Sequence, residues 1–175
     1  MVEANLVVTA DRDEVFRDQL LAWSRDARAL ATWMLRDADS GDDAVQEAVL
    51  LGWEKRRTLR NPGQIDAWLN QILVNVCRGE LRRRSRQSVK LVPAGTLAGH
   101  DDASAQRDEI AMAMGCLEPD EQIVVALRFG RDLSIPQIAS HTGLREGTVK
   151  SRLHYALEHL RAALAVQQKA VEADR

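Results

Sequence analysis

The stretch that decides the fold is Leu133–Leu164, LSIPQIASHTGLREGTVKSRLHYALEHLRAAL. Ser134 is placed to cap a short helix, Pro136 falls in its first turn where a missing N–H costs nothing, and Gly143 supplies the left-handed residue that ends it. A second helix follows from about residue 146 to 164. In it Val149, Leu153, Ala156, Leu160 and Leu164 recur at about 100° per residue, one inward face. The opposite arc carries Thr148, Ser151, His154, Tyr155 and Glu158, with Lys150 and Arg152 flanking it. Two helices on a tight turn are a helix-turn-helix, and cations beside short polar groups suit phosphates and base edges in a major groove.

Composition agrees with an all-helical chain. The 175 residues are only 4% aromatic and rich in Ala, Leu and Arg, and no strand-like alternation persists. The formal net charge of −2 conceals a block pattern. Lys plus Arg against Asp plus Glu is 5 to 12 over residues 1–54, 10 to 2 over 55–90, 3 to 8 over 91–132 and 6 to 4 over 133–175. A chain that touches a polyanion at two places and a protein elsewhere is charged in this way, because phosphate neutralisation needs local positive charge. Cys77 and Cys116 lack metal-ligand spacing and read as buried free thiols in a reducing cytoplasm. The start, MVEANLVVTADRDE, has neither a basic head nor a long apolar run, so a cytoplasmic protein is expected.

Upstream, Asp11 and Glu14 resemble a capping box, and Phe16, Leu20, Trp23, Ala27, Leu30 and Met34 give a first helix ending near Arg36. DADSGD is a turn, and Ser40 is the expected cap of a second helix over about 41–57. Asp43, Gln46 and Glu47 leave an acidic patch on that helix, and its tail turns basic at Lys55, Arg56 and Arg57. Arg60-Asn61-Pro62-Gly63-Gln64 forms a loop, and a third helix from Ile65 carries Trp68, Leu69, Ile72, Val76 and Cys77 before ending in RGELRRRSR. Trp53 and Trp68, spaced among Leu and Ile, are expected to pack in the core.

Residues 11–87 therefore read as one helical domain and 88–104, with Pro, Gly and no periodicity, as a flexible linker. Residues 105–166 form a second small helical domain containing the helix-turn-helix, and 167–175 a frayed tail. In the second domain Ile110, Met114 and Leu117 come first. Pro119 then opens a helix whose core residues are Ile123, Val124, Leu127 and Phe129.

Two basic helical modules in this order resemble the extracytoplasmic-function group of the bacterial sigma-70 family. The resemblance rests on DDAVQEAVLLGW (Asp42–Trp53), Asp66-Ala67-Trp68-Leu69 with Ile72 and Asn75, and the arginine run. In the second module it rests on LEPDEQIVVALRF (Leu117–Phe129), LSIPQIASHTG and GTVKSRLHYALEHLR. It implies a transcription initiation factor without a cofactor, whose partners are core RNA polymerase, promoter DNA and an anti-sigma factor. On this resemblance Asp43, Gln46, Glu47 and Leu50 dock on a coiled coil of the polymerase. Asn61, Gln64, Asn75, Arg78, Arg82 and Arg83 meet the opened minus-ten element and its flipped base. Arg145, Thr148, Lys150, Ser151, Arg152, His154 and Tyr155 read the minus-35 element. The chain departs from the family's habit at Arg145-Glu146, where a hydroxyl usually precedes Gly-Thr-Val, and at Val74 and Gly79 in the third helix.

No catalytic arrangement is legible: His154 and His159 do not share a helix face, and no phosphate loop or carboxylate pair stands out. Two other classes fit less well. A stand-alone helix-turn-helix regulator calls for a dimer surface and a palindromic site. A decoy that binds only an anti-sigma protein has no need of Arg82–Arg84, Lys150 and Arg152.

Overall fold

The computed structural model describes residues 2–88 and 113–173, with side chains over 12–86 and 113–165. The expected linker from 89 onward, Ile110 and the start of the second domain up to 112 lie outside the described residues. Among the described residues every regular element is helical. They divide into two compact units, one running to Cys77 and including Ser140–Thr142, the other Arg78–Ala139 and Gly143–Arg175.

In the first unit α1 (Val2–Leu35), α2 (Ala38–Lys55) and the first half of α3 (Ile65–Ser88) close one core. The 3.6-residue spacing of α1 has the outcome expected of it, since Phe16, Leu20, Trp23, Ala27, Leu30 and Met34 are all buried. Opposite them lie Ala44, Val45 and Ala48 of α2 and Leu69, Leu73, Val74 and Cys77 of α3. Each fully buried Leu or Met here stabilises the fold by roughly 1.5–3 kcal/mol. The Trp23 indole N–H donates to Asn70 Oδ1 at 3.1 Å, so the polar atoms that accompany these rings inward are bonded.

Two glycines set how closely the helices approach. A Cβ at Gly41 meets the Thr32 backbone nitrogen at 2.8 Å, and one at Gly52 meets Leu69 Cδ2 at 2.8 Å. Backbone cannot yield as a side chain can, so Gly41 is the stricter of the two.

Several details of this unit differ from the reading of the sequence. Helix α1 passes through Asp11 unbroken, so Asp11 is not a cap. The cap of α2 is Asp37 rather than Ser40: Asp37 has extended backbone (φ −156°, ψ 126°), and its carboxylate accepts from the Ser40 N–H at 2.9 Å and from the Ser40 hydroxyl. Arg36 takes the left-handed turn before it at φ 57°, and a carboxylate at the cap complements the positive helix end. Trp53 is 39% exposed, because the Arg56 guanidinium rather than the core covers its ring, at 4.4 Å from the centroid. Trp68 is half-buried rather than in the core, edge-on to Phe16 with centroids 6.3 Å apart.

In the second unit α4 (Pro119–Val125) begins with Pro119 in its first turn, and Glu118 N–H donates to Glu121 Oε2 at 3.1 Å. The helix loosens into a wider turn over Ala126–Gly130, which leaves Phe129 57% exposed instead of in the expected core, and Cys116, expected to be buried like Cys77, is exposed. Helix α5 (Ile135–Thr142) has the expected signals: Ser134 N–H donates to Gln137 Oε1 at 2.8 Å, and Gly143 takes φ 70°. Helix α6 (Glu146–Ala173) buries Val149, Leu153 and Ala156 against Ile123, Val124, Leu127 and Ile138. Its backbone stays helical to Ala173, beyond the point where fraying was expected.

Candidate nucleic-acid interface

On α2, Asp43, Gln46, Glu47 and Leu50 are all exposed and share one face, since Gln46 and Glu47 lie three and four residues after Asp43 and Leu50 lies seven after it. Leu50 is 71% exposed, a large apolar side chain about one helical turn after Gln46 and Glu47. Asp42 is held by Arg28 at 2.7 Å, but neither Asp43 nor Glu47 has an ion-pair partner among the described residues.

The connection between α2 and α3 is shaped by its own hydrogen bonds. Asn61 Oδ1 accepts from the Gly63 N–H at 3.0 Å, which turns the chain over Pro62–Gln64 into α3. The turn leaves a cavity of about 270 Å³ bordered by Arg60, Asn61, Gln64, Trp68 and Gln71. It thus offers amide donors and acceptors, one guanidinium and one indole. Asn75 is exposed further along α3 and does not border it.

The arginine run is less open than its sequence suggests. Arg83 donates from two nitrogens to Glu80 at 2.7 Å each, and Arg84 donates to the same carboxylate at 2.7 Å. Those bonds, led by Arg83, hold the Glu80 carboxyl down at about 2 and raise the Arg83 guanidinium above its ordinary range. Arg78 donates to Asp120 at 2.7 Å, and Arg82 approaches the same residue at 3.5 Å. Arg82 and Arg83 remain more than half exposed, whereas Arg78 is mostly covered.

On α6, Lys150, Ser151, His154 and Tyr155 are exposed, as is Arg145 just before it, and Thr148 is half-buried. The Ser151 hydroxyl donates to the Thr148 carbonyl at 3.0 Å, so it is held against its own helix. His154 lies 3.5 Å from Glu158 and its ring 5.6 Å from that of Tyr155. Arg152 turns away from this face to Asp120 at 3.1 Å.

Two counter-ions were thus missing from the sequence reading. Glu80 was within reach of it, because a carboxylate three and four residues before two arginines on a helix pairs with them. Asp120 was not, since its partners Arg78, Arg82 and Arg152 come from distant parts of the chain.

An all-helical chain with a helix-turn-helix and a second basic, amide-lined surface defines a DNA-binding protein class. Comparison with known proteins narrows this. The model of sigma-70 region 2 matches residues 20–87, and that of sigma-70 region 4 matches residues 113–162. The chain is 34% identical over 137 residues to the ECF RNA polymerase sigma factor SigL of Mycobacterium tuberculosis, covering 73% of this chain and 76% of that one. It is 30% identical over 144 residues to the RNA polymerase sigma factor SigV of Bacillus subtilis, covering 80% and 85%. Among solved structures, the sigma factor RpoE in complex with the anti-sigma factor NepR from Bartonella quintana aligns with a TM-score of 0.64 at 24% identity. It covers 87% of this chain and 98% of that one, a likeness of fold. The chain belongs to the extracytoplasmic-function group of the sigma-70 family. Sigma factors are not enzymes in the catalytic sense.

Proposed function

We infer that this chain is an RNA polymerase sigma factor that binds core polymerase in the cytoplasm, brings it to promoters and starts transcription there. The observation that carries this is the presence, in one chain and in order, of both sigma-70 regions, with an exposed acidic and apolar face on α2 and an exposed polar face on α6. No helix among the described residues is long and apolar enough to cross a membrane.

Asp43, Gln46, Glu47 and Leu50 are the proposed polymerase contact: an exposed Leu beside acidic groups suits a basic partner surface with an apolar centre. The cavity at Arg60, Asn61, Gln64 and Trp68 is proposed to hold an unstacked base of the minus-ten element, whose edge the amides can read. Asn75, Arg78, Arg82 and Arg83 are proposed to steady the same strand, the arginines after exchanging Asp120 or Glu80 for phosphate. Arg145, Thr148, Lys150, Ser151, Arg152, His154 and Tyr155 are proposed for the minus-35 duplex. Some relatives are known from structures with anti-sigma factors, which supports control of this chain by such a protein. The test is to add the purified chain to core RNA polymerase and map transcripts across the genome. New start sites sharing two spaced elements are expected, and their absence overturns the assignment.

A further inference from the structure

The arginine run Arg82-Arg83-Arg84-Ser85-Arg86 encloses a single hydroxyl, which neither the DNA contacts nor the polymerase contact uses. Ser85 is exposed and lies in the last turn of α3, which ends at Ser88. Helix ends open at small cost, so the residues around Ser85 can be read as an extended peptide. Arginines three and two residues before a hydroxyl suit a protein kinase whose substrate groove is acidic, by charge complementarity. Arg82 and Arg83 hold those two places, and both side chains are more than half exposed. A second basic run, Lys55-Arg56-Arg57 before Thr58, fits less well. Its Arg56 is bound by Asp13 at 2.9 and 3.0 Å and lies over the Trp53 ring, so it does not turn to an enzyme.

Ser85 also borders a hollow of about 540 Å³, whose other walls are Arg82, Arg86, Glu118, Pro119 and Asp120. Both carboxylates are engaged there. Glu118 is tied to Glu121 in the cap of α4, and Asp120 meets Arg78, Arg82 and Arg152 at 2.7, 3.5 and 3.1 Å. The pair with Arg82 is the longest of the three, so Arg82 is the guanidinium that a new anion on Ser85 draws away first. It stands three residues before Ser85 on the same helix, a spacing at which side chains meet.

We propose that Ser85 is a phosphorylation site for an arginine-directed serine/threonine kinase, and that the phosphoryl group takes the arginine run away from the opened promoter strand. The Ser85 Oγ attacks the γ-phosphorus of ATP. The Oγ–P bond forms as the bond from that phosphorus to the bridging oxygen breaks, ADP leaves, and the hydroxyl proton passes to the kinase's base. The product adds a charge of about −1.5 to −2 and three acceptor oxygens to a segment of four arginines, removing nearly half of its positive charge. Arg82 and Arg86 then pair with a tethered dianion in place of DNA phosphates. The effect on DNA rests on the proposed role of Arg82 and Arg83 on the strand, whereas the modification itself does not. The polymerase contact proposed for α2 lies on another helix, so the modified chain stays on the polymerase while its hold on the strand weakens.

The test treats the full chain with ATP labelled at its γ-phosphate and a kinase that selects arginine three and two residues before its acceptor. Label at Ser85, located by peptide mapping, is expected to be kept in Thr58→Ala and lost in Ser85→Ala. No label at Ser85 overturns the proposal. Bound to core RNA polymerase, the modified chain is expected to hold a fluorescent oligo(dT) strand roughly tenfold more weakly than the unmodified chain, with binding by core alone subtracted. Its log–log salt dependence should flatten by about 0.7 for each arginine taken from the strand. Association with core should not change, and Ser85→Ala should bind the strand like wild type with or without kinase. If the modified chain binds the strand undiminished while Arg82→Ala with Arg83→Ala binds weakly, the switch is excluded and the strand contact stands. If that double variant also binds like wild type, both readings fall. An equal loss of association with core marks general damage and overturns the switch.

Discussion

At the scale of single residues, the charges that matter are those whose partners can be exchanged. Glu80 ties up Arg83 and Arg84 on the same helix. Glu80→Gln should release both, tightening binding of unpaired DNA and steepening its salt dependence by up to about 0.7 for each arginine that finds a phosphate. The same variant fixes the sign of a pH effect. The Glu80 pKa is lowered from 4.5 to about 2, so its contribution to stability is complete above the unfolded value and disappears as pH falls through the folded one. The difference in denaturation midpoint between wild type and Glu80→Gln should therefore be constant above about pH 5 and vanish by about pH 2. On α6, Lys150→Ala should weaken duplex binding alike for all sequences, with a salt slope shallower by about 0.9. Ser151→Ala should instead change which sequences are preferred, read by selection from a random duplex pool.

At the scale of elements, the helices were legible where periodicity and chain punctuation agree. The face of α1 and the Ser134, Pro136 and Gly143 signals around α5 all came out as read, because they depend on neighbours within a turn or two. Errors arose where two local signals compete or a distant group decides. Asp37 and Ser40 are both good caps, and the left-handed Arg36 selects Asp37. Trp53 reads as core until Arg56 is seen to lie across it, and Phe129 escapes the core because α4 widens at its end. Two glycines that look alike in sequence should behave oppositely. Gly79→Ala meets nothing within 4 Å and should stabilise by about 1 kcal/mol through helix propensity. Gly41→Ala drives a methyl against the Thr32 backbone and should destabilise by about 1–3 kcal/mol, both read from urea midpoints at constant slope.

At the scale of the whole molecule, the alternation of acidic and basic blocks was the broadest guide to function, although Asp120 of the third block pairs with Arg78 and Arg82 of the second. Glu47→Lys, at an exposed site, should leave thermal unfolding unchanged and weaken association with core polymerase by about tenfold or more in a competition assay, since a like charge then faces the basic partner. What no count of charges discloses is how many cations are already spoken for, because that depends on pairings between residues far apart along the chain. The carboxylate of Asp120, met by Arg78, Arg82 and Arg152, is the plainest instance. It behaves as a resident surrogate for a phosphate. An arginine recruited from it to DNA swaps one tethered anion for another and sheds few mobile ions, so those contacts contribute little to ionic-strength sensitivity. A promoter complex of this chain should therefore tolerate salt better than its tally of arginines suggests, and Asp120→Asn should abolish that tolerance.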